Sequence, residues 1–155
     1  YLEMVSKKTG VLYGASAAIG GILAGANPVQ ADALYQFGLN SGVAFQIQDD
    51  LIDLCANTEK SGKDRASDIR EGKQTLIAIK AREKGLDLTP YRRELTAAEI
   101  DDLIARLEGA GILGEVRATA VERANVAKQA LGILPDSEEK QILTEIADYF
   151  IARSN

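Results

Sequence analysis

Apolar side chains recur at helical spacing along most of the chain, and sustained period-two alternation and Asn-Gly or Asp-Gly hairpin turns are missing. The pattern predicts an all-α architecture of six or so helices, without repeats or low-complexity tracts. Tyr1, Leu2, Met4 and Val5 are apolar with no capping residue before them, so the chain is expected to open partway into a helix and to be a piece of something longer. Residues 9 to 31 carry no charged side chain, and about 20 apolar residues can cross a bilayer. This stretch is nevertheless low in bulk: Gly10, Gly14, Gly20, Gly21 and Gly25 stand among alanines, and Asn27, Pro28 and Gln30 follow. Small residues let a neighbouring helix come near, which favours a closely packed buried helix over a membrane span.

Asn27 and Pro28 read as N-cap and first residue of a helix that runs through Gln46 and Asp53 to about Ala56. Asn57 to Ala66 reads as a loop, and Ser67 as the N-cap of a helix ending near Gly85. Thr89 and Pro90 restart a short helix. Thr96 with Glu99, and Asp136 with Glu139, have capping-box spacing, and Gly109, Gly111 and Pro135 mark breaks.

Composition narrows the chemistry. The 155 residues are 46% hydrophobic and 26% charged, enough apolar mass for a single core spanning residues 1–155. Eighteen Lys+Arg against 23 Asp+Glu give a net charge of −5, which argues against neutralising a nucleic-acid backbone. Cys55 is the single cysteine, so no disulfide can form within the chain, and the usage suits a reducing cytoplasm. Signal-peptide features are missing. Histidine is absent, which removes Ser-His and Cys-His nucleophile systems and imidazole metal ligands and leaves carboxylates, amines, hydroxyls or a hard metal ion.

Two segments concentrate those groups. In Phe45-Gln46-Ile47-Gln48-Asp49-Asp50-Leu51-Ile52-Asp53, with Gln46 as zero, Asp49 falls at about −60°, Asp50 at about 40° and Asp53 at about −20° around a helix. Three carboxylates on one stripe repel one another unless a cation sits among them. Mg2+ suits them, because it prefers oxygen, keeps several waters and shares one or two carboxylates with substrate phosphates. A solvated acidic face is the plainer reading, against which stand the flanking Val43, Phe45, Ile47, Leu51, Ile52 and Leu54. In Gly62-Lys63 through Glu71-Gly72-Lys73-Gln74-Thr75-Leu76, Lys63 and Lys73 flank an expected helix start, where backbone N–H groups also favour anions. Amines beside a carboxylate stripe suggest diphosphate. Lys7-Lys8-Thr9-Gly10 adds two amines and a hydroxyl ahead of the small-residue helix.

In their order and spacing these segments resemble the trans-isoprenyl diphosphate synthases, the polyprenyl synthetase family, over the whole chain as the C-terminal half of such an enzyme. Lys8-Thr9-Gly10 is similar to the family's Lys-Thr element, Phe45 to Asp53 to its second aspartate-rich motif, Gly62 to Leu76 to the lysine segment after it, and Ile151-Ala152-Arg153 to its C-terminal helix. The resemblance implies an all-α helical bundle of the isoprenoid synthase type. It also implies a head-to-tail condensation of isopentenyl diphosphate with an allylic diphosphate held by three Mg2+ between two aspartate-rich helices, giving geranyl, farnesyl or geranylgeranyl diphosphate. By carry-over, Asp49 is the principal metal ligand, and Asp50 and Asp53 bind through water or a second shell. Gln46 hydrogen-bonds in the diphosphate site, and Lys8, Lys63 and Lys73 hold the diphosphate with Thr9 nearby. The catalytic set is then Asp49, Asp53 and Lys8, in a cytoplasmic homodimer without a membrane span.

The family uses two aspartate-rich motifs, and Asp49 to Asp53 is the one Asp-Asp-x-x-Asp in this sequence; Asp101-Asp102 lacks the third carboxylate. The first motif and the groups that grip isopentenyl diphosphate are expected upstream of Tyr1, so the chain alone is expected to be inactive. The Gly10 to Gly25 helix either lines the tail pocket or packs tightly. Terpene cyclases need Ser or Thr and then Glu at four-residue intervals after Asp49, where this chain has Asp53 and Asn57. A non-catalytic subunit of a heteromeric synthase and a helical interaction module remain as alternatives.

Overall fold

The computed structural model describes residues 1–55 and 65–153. Every regular element among the described residues is helical. The first two are α1 (Leu2–Val5) and α2 (Val11–Leu23), joined by a π-helical turn at Ser6–Gly10, so the chain is helical from its second residue as expected. Helix α3 covers Pro28–Cys55. Its start is built as the sequence foretells: Asn27 Oδ1 accepts from Val29 N and Gln30 N, both at 3.0 Å, and Gln30 Oε1 accepts from Asn27 N at 3.0 Å.

The expected helix from Ser67 to Gly85 is two helices, α4 (Ser67–Arg70) and α5 (Leu76–Glu83). The break comes from Gly72, at φ +70°, and from Thr75, whose extended backbone and hydroxyl, accepting from Ala78 N, open α5. Ser67 does not cap α4; its hydroxyl turns to Asp53, and the cap position falls to Ala66. Thr89-Pro90 restarts only a 3-10 turn, Thr89–Tyr91. Helix α6 (Ala97–Gly109) opens on the Thr96–Glu99 capping box, with both reciprocal bonds made. Helix α7 covers Ile112–Ala130 and continues as a 3-10 turn, Leu131–Ile133. Helix α8 (Glu138–Ala152) is capped by Ser137, accepting from Lys140 N, and not by Asp136. Asp136 instead pairs with Lys140 at 2.9 Å.

The helices fall into two compact units. One holds Tyr1 and Ile47–Ala118, with Ile47, Leu54, Leu103, Leu107, Ile112 and Leu113 among its fully buried side chains. The other holds Leu2–Gln46 and Thr119–Arg153. Its core is Phe37, Ala127, Leu131 and Ala147, against which Leu34, Ala17 and Leu143 pack. Tyr13, Phe45 and Phe150 form a ring cluster with centroids 5.1 to 5.8 Å apart, and the Arg153 guanidinium lies 3.8 Å over the Phe45 ring while donating to the Phe45 carbonyl at 2.9 Å.

The small residues do what their lack of bulk allows. Gly10 and Gly14 on one side meet Gly42, Leu39 and Tyr35 of α3 on the other: a β-carbon on Gly10 would stand 2.7 Å from the Leu39 carbonyl, and one on Gly42 2.9 Å from the Gly10 α-carbon. The opposite side of α2 is open, with Leu12 69% and Leu23 83% exposed, so this helix is closely packed on one face and not buried all round. No described helix is long and apolar enough to cross a membrane.

Candidate functional site

Helix α3 carries Gln46, Asp49, Asp50 and Asp53 without interruption, so the one-face geometry expected of the stripe is met by the helix itself. In the unit that contains Asp49, Asp50 and Asp53, the carboxylates have different surroundings. Asp50 is 7% exposed and accepts from the Tyr1 phenol at 2.5 Å. Burial, followed by the Asp50 charge, pushes the Tyr1 phenol well above its ordinary value, so it stays a donor. Asp53 accepts from the Ser67 hydroxyl on Oδ1 and from Asp68 N on Oδ2 at 3.0 Å. Asp68 in turn accepts from Lys73 Nζ at 2.7 Å, and Glu71 lies 3.0 Å from the same amine. Hydrogen bonds to Asp68 and Glu71 raise the Lys73 pKa and keep its ammonium charged. Lys73 remains half exposed.

In the other unit the Lys-Thr element occupies the π-helical turn, where Val11 N donates to Ser6 O. Such turns often sit at functional sites, because the extra residue widens the helix and re-aims the side chains it carries. Thr9 Oγ1 donates to Gln46 Oε1 at 3.2 Å, which brings together two of the expected diphosphate groups. Lys8 is exposed, and its neighbour Lys7 is paired with Glu3 at 2.6 Å. Lys63 lies outside the described residues.

A model of the polyprenyl synthetase family matches residues 1–101. The chain belongs to the polyprenyl synthetase family. It is 43% identical to the geranylfarnesyl diphosphate synthase of Natronomonas pharaonis over 99% of this chain and 46% of that one. It is 44% identical to the geranylgeranyl diphosphate synthase of Methanosarcina mazei over 99% and 48%. Among solved structures, the Caulobacter crescentus polyprenyl synthase complexed with calcium and isoprenyl diphosphate superposes with a TM-score of 0.87 at 33% identity, over 100% of this chain and 49% of that one. The fold is therefore the all-α helical bundle of the isoprenoid synthases. The chain spans about half the length of the curated relatives it matches.

Among the described residues no group of three His, Cys, Asp or Glu side chains is placed to hold an ion. With Asp53 turned to Ser67 and Asp68, the stripe offers no three-carboxylate cage. It fits an ion that takes one or two protein carboxylates and the rest of its shell from phosphate and water, as Mg2+ does. Sequence reading missed Tyr1 and the role of Ser67. The Tyr1–Asp50 bond spans 49 positions and leaves no local signature. Ser67 carried a signal, a hydroxyl at a helix start, that points equally to capping.

Proposed function

We propose that this chain is the diphosphate-holding half of a trans-prenyltransferase that condenses isopentenyl diphosphate with an allylic diphosphate. The observation that carries the reading is the unbroken Gln46–Asp53 face of α3 in a polyprenyl synthetase chain, with Lys73 fixed by Asp68 in the unit that holds the three carboxylates. In the reaction, the allylic C–O bond breaks with its electrons passing to diphosphate. The double bond of isopentenyl diphosphate then forms the new C–C bond, and the resulting cation loses a proton to the released diphosphate. No histidine base is needed. Mg2+ held by Asp49, with Asp50 acting through water, would neutralise charge on the leaving diphosphate.

This chain's own residues bind and orient. Lys8, Lys63 and Lys73 are the amines for the diphosphate oxygens, and Thr9 fixes the amide of Gln46. Fixed ammonium groups aimed at a leaving anion stabilise the charge as it develops, without solvent having to reorganise. The proposal is tested by a chimera in which this chain replaces the C-terminal half of the Methanosarcina mazei enzyme. The chimera should elongate geranyl diphosphate with isopentenyl diphosphate, and Asp49→Ala should abolish the product. A chimera that folds, judged by a cooperative helical melt, and yields no product overturns the reading.

A further inference from the structure

Asp53 is engaged by three consecutive residues of a distant segment. Its backbone carbonyl accepts from Ala66 N at 2.8 Å, its Oδ1 from the Ser67 hydroxyl, and its Oδ2 from Asp68 N at 3.0 Å. Ala66 is the one described non-glycine residue with positive φ, at φ 59° and ψ 28°, and it is wholly buried. A left-handed alanine costs about 1 to 2 kcal/mol, so its surroundings must hold it there. The Ser67 and Asp68 bonds are those that fix the residues just after it. The chain of contacts continues: Asp68 accepts from Lys73 Nζ at 2.7 Å and, through its carbonyl, from Lys73 N at 2.9 Å, with Gly72 at φ +70° making the turn.

We propose that Asp53 is a positioning residue, a latch that holds the strained Ala66–Asp68 segment and through it sets Asp68 and Lys73. The assignment of a diphosphate role to Lys73 rests on the function proposed above; the latch itself does not. It rests on where the two oxygens of Asp53 are spent. Each oxygen accepts from a donor of its own chain, one from a hydroxyl and one from a backbone amide, so the carboxylate grips the segment at two points. Asp53 thereby couples the aspartate stripe to the lysine segment through direct hydrogen bonds.

The test is amide hydrogen exchange of the 155-residue chain in chelator, with no metal or diphosphate present. Asp53→Ala should speed exchange at Asp68 and Lys73 by about 10- to 100-fold, the loss of a charge-assisted bond, while Leu103 and Leu107 in α6 keep their protection. Asp53→Asn, which retains one acceptor oxygen, should restore most of the protection, and Asp49→Ala should leave the segment unaltered. Ser67→Ala keeps the carboxylate and should loosen the segment by a smaller factor, which makes the test independent of whether Asp53→Ala folds. Unchanged exchange at Asp68 in Asp53→Ala or Ser67→Ala, or protection that appears only when Mg2+ and diphosphate are added, overturns the latch. In the chimera, Ser67→Ala should raise the KM for the allylic diphosphate more than it lowers kcat. A chimera without any activity would sink the prenyltransfer reading and leave the exchange result standing.

Discussion

At the scale of single residues, charge environment sets what each carboxylate does. Glu99 receives the Arg93 guanidinium at 2.5 Å as well as the backbone and hydroxyl of Thr96, and these donors hold its carboxyl down from 4.5 to about 2. A carboxylate with a depressed folded pKa contributes stability above its unfolded value, and that stability is lost as pH falls through the folded one. The chain should therefore lose stability between pH 4.5 and about 2. In Glu99→Gln this part of the acid dependence should be missing from urea melts at stepped pH. In the chimera, Asp49→Ala should lower turnover by roughly three or more orders of magnitude, by removing a group that acts on the leaving diphosphate. Lys73→Ala should cost about 10- to 1000-fold, since one amine leaves a redundant set; equal losses would show that the two act as a unit. The stripe was legible from a repeat of carboxylates at helical angles. Its separation into Asp50 under Tyr1 and Asp53 under Ser67 was not, because both partners arrive by tertiary folding from 49 and 14 positions away.

At the scale of elements, caps and glycines explain both what was legible and what was not. The Thr96–Glu99 box and the Asn27 cap follow from local chemistry and occur as read. At α8, Asp136 and Ser137 stand side by side, either able to cap, and the choice fell to Ser137. At α4, tertiary demand from Asp53 overrode the local cap. Glycines that look alike in sequence divide by what surrounds them. Gly20, within α2, has nothing near a would-be β-carbon, so Gly20→Ala should stabilise by about 0.5 to 1 kcal/mol. Gly10→Ala would press on the Leu39 carbonyl and should destabilise by about 1 to 3 kcal/mol. Thermal melts of the two variants should move in opposite directions.

At the scale of the whole molecule, the chain covers about half of the two diphosphate synthases named above, and Leu12, Ile19, Ile22 and Leu23 stand exposed on α2. Large apolar side chains exposed together on one helix promote association. Sedimentation of the purified chain should show a concentration-dependent rise in mass, reduced by Leu12→Ser with Leu23→Ser. With isopentenyl diphosphate, geranyl diphosphate and Mg2+, the chain alone should form no longer prenyl product, since it supplies one Asp-Asp-x-x-Asp motif where the condensation is expected to need two. Robust synthesis by the isolated chain would remove that two-motif requirement.

The π-helical turn at Ser6–Gly10 amounts to one inserted residue in an otherwise continuous helix. Deleting Ser6 would let the backbone close in the ordinary i to i−4 pattern, and because the wide turn holds its extra residue within about one turn, the residues upstream would keep roughly their phase. What closing would remove is the widening itself, and with it the aim of Lys7, Lys8 and Thr9, which the turn carries. The inserted residue is therefore spent on the direction of the Lys-Thr side chains and not on the continuity of the helix, and a variant lacking Ser6 should keep its helix content in far-UV CD.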